Sequence, residues 1–326
     1  MRSAPTANPI LGICNAGLVA MLNKLSDTCV VHLTPDTIAL AVSATSNGGI
    51  QTCAELSRHA LFRDYRIESR AENNRISFFA KLDNLNTALK SCCSHEAQHI
   101  QVKLTKKVNG APTLTFEIDS GDGGMHGLQD VPLRIVQDME ELYQYTEPLY
   151  AEHIASLSVV LPHGDIRGMR NVIERMKSFS DYVLLTARDV AVGARSDGGG
   201  GGERTAMLQL QVEKDNLVTI TTTYTKLERV HVAEPTQQHA GEPTPTGAPA
   251  APQPLAAGTA GEQVAEAKVE IKKLSKCLQS VVSSDIKIHG GIFCIIPERA
   301  VVLKIFLPSP ETGQESHIVF FFPVLL

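Results

Sequence analysis

The 326-residue sequence predicts an α+β fold of two tandem modules, each an antiparallel sheet covered on one face by two helices. Three observations carry that reading. A strand–turn–strand signature occurs twice. A helix followed by a strand also occurs twice, in the same order. Strand-like runs outnumber helices and follow one another through short turns. Short turns favour antiparallel neighbours, because a parallel neighbour needs a long crossover.

In the first half, the segment before Leu25 reads as an amphipathic helix. The opening MRSAPTANPILGICNAGLVAML has a faint look of a signal peptide, yet it holds one basic residue, and Gly12, Asn15 and Gly17 interrupt its apolar stretch. Secretion is therefore not expected. In LSDTCVVHLTPDTIALAV, Cys29, Val31 and Leu33, then Ile38, Leu40 and Val42, fall at alternate positions. Period two is the mark of strands with one buried face. Thr34-Pro35-Asp36 between them is a turn, with Pro35 presetting φ and Asp36 able to bond its own backbone. LDNLNTALKSC spaces Leu82, Leu85 and Leu89 as one helical stripe, and HIQVKL follows as a strand.

The segment VPLRIVQDMEELYQYTEP joins the halves, which assigns residues 1–130 to the first module, 131–148 to a connector and 149–326 to the second module. There FSDYVLLTARDVAVGA repeats the apolar residue, the Ser-Asp, the strand run, a polar break at Arg188-Asp189 and a second run. IKKLSKCLQSV repeats the helix with Ile271, Leu274 and Leu278, and DIKIHG follows. This echo is spaced wider than the first by the length of Ala233–Glu262 plus Gly198–Gly202. The former has almost nothing to bury and is expected to be a disordered insertion at about 233–262. The glycine run reads as a flexible hairpin tip. The closing HIVFFFPVLL is too short to span a bilayer and reads as a buried strand, so no membrane partner is expected.

Seven cysteines, odd in number and scattered, suit a reducing compartment. CCSHEAQH gathers Cys92, Cys93, His95 and His99, which suggests zinc. Adjacent cysteines diverge, however, and no distant pair has finger-like spacing, so a helix end running into a loop is the reading adopted. GGGGGERTA lacks the Gly-Lys-Ser/Thr ending of a phosphate loop. No cofactor, metal or catalytic residue is expected; an enzyme built on the Cys92/His95 cluster is the lesser alternative.

The net charge of −5 argues against a surface that is basic all over, but a local stripe is compatible with it. Gly164–Phe179 carries Arg167, Arg170, Arg175 and Lys177 against Asp165 and Glu174, with Ile166, Met169, Ile173 and Met176 as its apolar stripe. In the later helix Lys268, Lys272, Lys273 and Lys276 oppose only Glu270. The first half offers mainly Lys24 and Lys90, so the basic surface is lopsided. Exposed cations on helices neutralise phosphate regardless of sequence, and the chain has no tryptophan platform for single strands. The expected target is the backbone of duplex DNA.

A duplicated module of this kind, with basic helix faces and a mid-chain connector, resembles DNA sliding clamps of the proliferating-cell nuclear antigen type. The segments TCVVHLTPDTIAL, CAELSRHALFRDYRIESRAENNRISF, LDNLNTALKSC, IQVKLTKK, DVPLRIV, MRNVIERMKSFSDYVLL and VFFFPVL resemble, in order, the Hus-one family of checkpoint-clamp subunits. The likeness covers about residues 10–232 and 263–326, and AENN and LDNLNTALK are its most specific parts. It implies the DNA-clamp fold and a non-enzymatic role in the DNA damage checkpoint and DNA repair. The implied partners are Rad-nine-like and Rad-one-like clamp subunits, an ATP-dependent clamp loader, duplex DNA, and repair and checkpoint proteins. Nuclear localisation is implied, with a cytoplasmic stage before assembly. A homotrimeric replication clamp is the alternative within the class.

The resemblance also implies that Arg167, Arg170, Arg175, Lys177, Lys272, Lys273 and Lys276, with Lys24 and Lys90, face DNA inside a ring. Leu133, Ile135 and Val136 of the connector would contact docking peptides. One departure stands out. The family opens with a strand leading into the first helix, where this sequence has MRSAPTANP and its two prolines. Either the first strand is lost or the true start lies elsewhere.

Overall fold

The computed structural model describes residues 6–7, 9–94, 99–108, 110–119, 126–136, 138, 140–146, 157–191, 204–215, 217–230, 263–284, 286–308 and 315–325. The expected insertion at 233–262 and the glycine run lie outside them. Every strand pairing among the described residues is antiparallel.

The first half runs β1 (Thr6–Ala7), α1 (Pro9–Asn23), β2 (Thr28–Leu33), β3 (Thr37–Val42), β4 (Gln51–Ser57), α2 (Arg58–Leu61), β5 (Phe62–Asp64), β6 (Ile76–Lys81), α3 (Leu82–Ser94), β7 (His99–Lys106), β8 (Pro112–Asp119) and β9 (His126–Ile135). The second runs β10 (Leu157–Pro162), α4 (His163–Met176), β11 (Tyr182–Ala191), β12 (Arg204–Lys214), β13 (Val218–Leu227), β14 (Val264–Glu270), α5 (Ile271–Val282), β15 (Gly290–Ile296), β16 (Ala300–Phe306) and β17 (His317–Pro323). Apart from α2 and β5, the order is the same in each half. Among the described residues the opening strand β1 covers two positions where β10 covers six.

Local chemistry accounts for these elements. The β2–β3 turn is held by Thr34, whose Oγ1 accepts the Thr37 N–H at 2.9 Å; the exposed Asp36 does not supply that bond with its side chain. The AENN stretch turns on Asn73 and Asn74, both at positive φ, a conformation asparagine tolerates better than most residues. Asn74 Nδ2 then donates to Ile67 O at 2.8 Å. Lys268 and Glu270, expected on a helix, belong to β14, whose exposure alternates along its length. Alanines at 265 and 267 suit helix and strand equally, so only the pairing with β11 decides.

Two units of four strands recur in each half. The units β4-β3-β2-β6 and β13-β12-β11-β14 correspond, as do β1-β7-β8-β9 and β10-β15-β16-β17. β17 pairs with β4 from His317↔Glu55 to Phe321↔Gln51, and this joint makes one thirteen-stranded sheet across both halves. The four long helices pack side by side in the order α3–α1–α5–α4. Their apolar stripes enter one continuous core: Leu18, Met21 and Leu22 from α1, Leu82, Leu85 and Ala88 from α3, and the corresponding faces of α4 and α5. No helix among the described residues is long and apolar enough to cross a membrane.

Candidate nucleic-acid interface

Burial of one stripe of α4 fixes where its other side chains point. Ile166, Met169, Ile173 and Met176 are all buried. Arg167, Asn171 and Arg175, one helical turn apart from one another, are consequently exposed and form a ridge. Arg170, Glu174 and Lys177 fall to one side and meet α5. Arg170 Nε donates to Gln279 Oε1 at 2.6 Å, and Lys177 Nζ lies 2.9 Å from Glu174 Oε2. The Ser275 hydroxyl donates to the other Glu174 oxygen. Hydrogen bonds from Lys177 and Ser275 hold the Glu174 carboxyl below its ordinary value of 4.5. A polar seam thus binds the two helices.

On α5, Ile271, Leu274, Cys277, Leu278 and Val281 are buried, and the lysines take three different situations. Lys272 is exposed and reaches the exposed Asp181 at 2.9 Å, which raises its pKa. Lys273 is mostly covered and pairs with Glu270 at 3.0 Å. Lys276 Nζ donates to Leu25 O and to Asn47 Oδ1, each at 3.0 Å. Its counterpart on the other side of that contact is Lys24. The Lys24 Nζ donates to Ser283 O and Ser283 Oγ at 2.8 Å and to Ser284 Oγ at 3.1 Å, which uses all three of its protons. Lys90 is exposed on α3.

The cations named in the sequence therefore serve two purposes. Arg167, Arg175, Lys272 and Lys90 project into solvent. Arg170 and Lys177 join α4 to α5, while Lys24 and Lys276 stitch the first half to the second. The sequence carries no signal for the second purpose, because the acceptors at Ser283, Leu25 and Asn47 are backbone or small polar groups far away in the chain. Lys268, read with the helix, lies 5.3 Å over the Tyr182 ring on the sheet.

The connector residues are likewise engaged. Leu133 is buried in the main core and Ile135 packs against it. Val136 joins a small separate cluster on the opposite face of the sheet, where Leu142 and Tyr145 of the six-residue 3-10 helix Glu140–Tyr145 cover Val30, Ala41, Cys53 and Phe79. The Arg134 guanidinium sits 4.1 Å over the Phe79 ring and 2.8 Å from Glu141. Gln51 Nε2 fastens the turn through Thr146 O at 2.5 Å.

His95–His99 in the cysteine–histidine stretch spells H-E-x-x-H, which corrects the reading that no such motif occurs in the sequence. That spacing holds zinc when both histidines share one helical face. Here His99 opens β7 rather than lying on a helix, and His95 to Gln98 are outside the described residues. Cys92 is buried, and burial pushes its thiol up to about 12. Among the described residues no group of three or more His, Cys, Asp or Glu could hold a metal ion.

A crystal structure of PCNA from Thermococcus kodakaraensis superposes with a TM-score of 0.57 over 95% of this chain and 96% of that one, at 13% identity. This is the PCNA-like clamp fold. In sequence, the checkpoint protein hus1 homolog of Dictyostelium discoideum is 31% identical over 167 residues, 51% of this chain and 59% of the relative. Human checkpoint protein HUS1 is 28% identical over 171 residues, 51% of this chain and 58% of the relative. The chain thus aligns with under two thirds of the length of these curated relatives. The family described as Hus1-like protein matches residues 15–325, through both copies of the helix-and-sheet unit. The chain belongs to that family.

Proposed function

We propose that this chain is a non-enzymatic subunit of a heterotrimeric ring that encircles duplex DNA in the damage checkpoint and in repair. In this reading residues 1–130 and 149–326 are the clamp modules and 131–148 the connector. The companions are Rad-nine-like and Rad-one-like subunits, an ATP-dependent loader opens the ring, and the assembly works in the nucleus. Closure of the ring replaces tight contact, so modest attraction between phosphate and the α4–α5 cations permits retention with sliding.

One observation carries the reading. Inside the chain, β17 of one unit pairs with β4 of another. The corresponding edges at the two ends, the side of β9 away from β8 along residues 126–132 and the side of β13 away from β12, have no strand partner among the described residues. β13 runs Val-Thr-Ile-Thr-Thr-Thr-Tyr-Thr before its first charge at Lys226. An edge without charge or proline is a template for pairing with another chain. Val218 on β13 and Leu128 on β9 are exposed beside these edges. Edges that repeat an internal joint, one donor and one acceptor per chain, favour head-to-tail closure.

Purification from cells followed by mass spectrometry and sizing tests the proposal. Two clamp-like companions in equal amount are expected. A stable homotrimer of this chain alone overturns the heterotrimer.

A further inference from the structure

The repeat puts residues of the two halves in register. The Leu82 N–H donates to Asp27 O and the Ile271 N–H to Asp181 O, each at 2.9 Å. Asp181 therefore answers to Asp27, and Ile271 to Leu82. Counting from these points, Ser178 answers to Lys24, Phe179 to Leu25 and Thr87 to Lys276. On the sheets Leu185 pairs with Leu210 as Val31 pairs with Leu40, and Val212 pairs with Ile220 as Val42 pairs with Thr52. Val218 therefore answers to Ile50.

Inside the chain, where α1 meets α5, the joint between the halves covers these positions. Leu25 and Ile50 are 3% and 1% exposed. A side chain at Gly49, beside Ile50, would meet Lys273 Nζ at 3.0 Å and Pro323 Cγ at 3.6 Å. Lys24 and Lys276 close the joint with five hydrogen bonds. The matching positions at the outer ends differ. Phe179 and Val218 are 38% and 48% exposed. Ser178 and Thr87 are exposed too, and each hydroxyl donates to a carbonyl of its own helix, Arg175 O at 2.8 Å and Asp83 O at 2.9 Å. A hydroxyl on Cβ reaches several ångströms less far than an ammonium on a four-carbon stem.

We propose that the two ends of this chain reject a second copy of it and accept a clamp-like subunit that brings the missing ammonium. The inference rests on the ring proposed above, in which α4 meets the next subunit's counterpart of α3 as α1 meets α5. In a joint between two copies Ser178 and Thr87 stand in place of both lysines, and all five of those bonds are absent. Phe179 and Val218 supply apolar contact to any clamp-like neighbour, so the ammonium decides which neighbour stays. The subunit on the α4 end carries a lysine at its counterpart of Thr87, within reach of Phe179 O. The subunit on the α3 end carries one at its counterpart of Ser178, aimed at the last carbonyls of α3, where a helix favours a cation. Polar groups left unpaired in the wrong joint, rather than contact area, then set the choice of partner.

The test is sedimentation velocity on the full chain without DNA, the parent beside a variant with Thr87→Lys and Ser178→Lys together. The two lysines should bring self-association at a concentration about tenfold or more below any at which the parent associates. Adding Val218→Glu should abolish that gain. Association no stronger than the parent's overturns the proposal, as does a gain that survives Val218→Glu. A urea midpoint strongly lowered by Val218→Glu in the dilute monomer also overturns it, since the chain itself then covers that end. A parent that forms a stable homotrimer defeats the heterotrimer reading as well, whereas a monomeric parent unmoved by the lysines defeats the lysine rule alone.

Discussion

Replacing Arg167 and Arg175 together by glutamine isolates the outward ridge of α4. Both side chains are exposed, and neither forms an ion pair with another described residue. Substitutions at such positions change stability by about 0.5 kcal/mol or less. Binding should respond through salt. Each phosphate contact contributes about 0.9 to the slope of log affinity against log salt, so losing two flattens that slope by about 1.8. Between 50 and 200 mM salt each contact costs about 3.5-fold in affinity, and the variant should lose about twelvefold less than the parent over that range. The assay is anisotropy on a linear duplex at four or five salt concentrations, beside a thermal melt. An unchanged slope refutes the placement of the ridge against DNA. A melt lowered by many degrees refutes its independence from the fold.

Three further outcomes follow from the packing. Changing Lys24 and Lys276 to methionine should lower stability by about 1–2 kcal/mol, because five hydrogen bonds between the halves are lost at a partly solvated contact; an unmoved urea midpoint contradicts that. Arg229→Ala should cost about 3–5 kcal/mol, since Asp189, whose side chain is 3% exposed, loses the guanidinium 2.6 Å away; chemical denaturation measures it, and a cost under about 1 kcal/mol counts against a buried pair. Burial, aided by Arg75, holds the His32 imidazole down at about 4 from 6.5. The unfolded chain therefore binds the proton first, and stability should fall by about 3 kcal/mol as pH drops from 6.5 to about 4. His317, also lowered chiefly by burial, adds to the same slope. His32→Gln should flatten the pH dependence in that window, and an unaltered profile argues against a neutral buried imidazole.

Legibility in the sequence followed the range of the forces concerned. Leu82, Leu85 and Leu89, or Cys29, Val31 and Leu33, announce helix and strand because the periods of 3.6 and 2 act between near neighbours. The repeated unit was legible for the same reason. Lys268 was misassigned where alanines leave the period ambiguous, and H-E-x-x-H at residues 95–99 has the letters of a metal helix although His99 opens a strand.

By itself the sequence determined the class of fold, the number of copies of its unit, and which helices carry excess positive charge. Only the tertiary structure decided that β17 adds to β4 and that Lys24 spends its protons on Ser283 and Ser284. Backbone hydrogen bonds carry no residue code, and a lysine's partner is whichever acceptor the fold brings within 3 Å or so. Such choices exist only once distant segments have met.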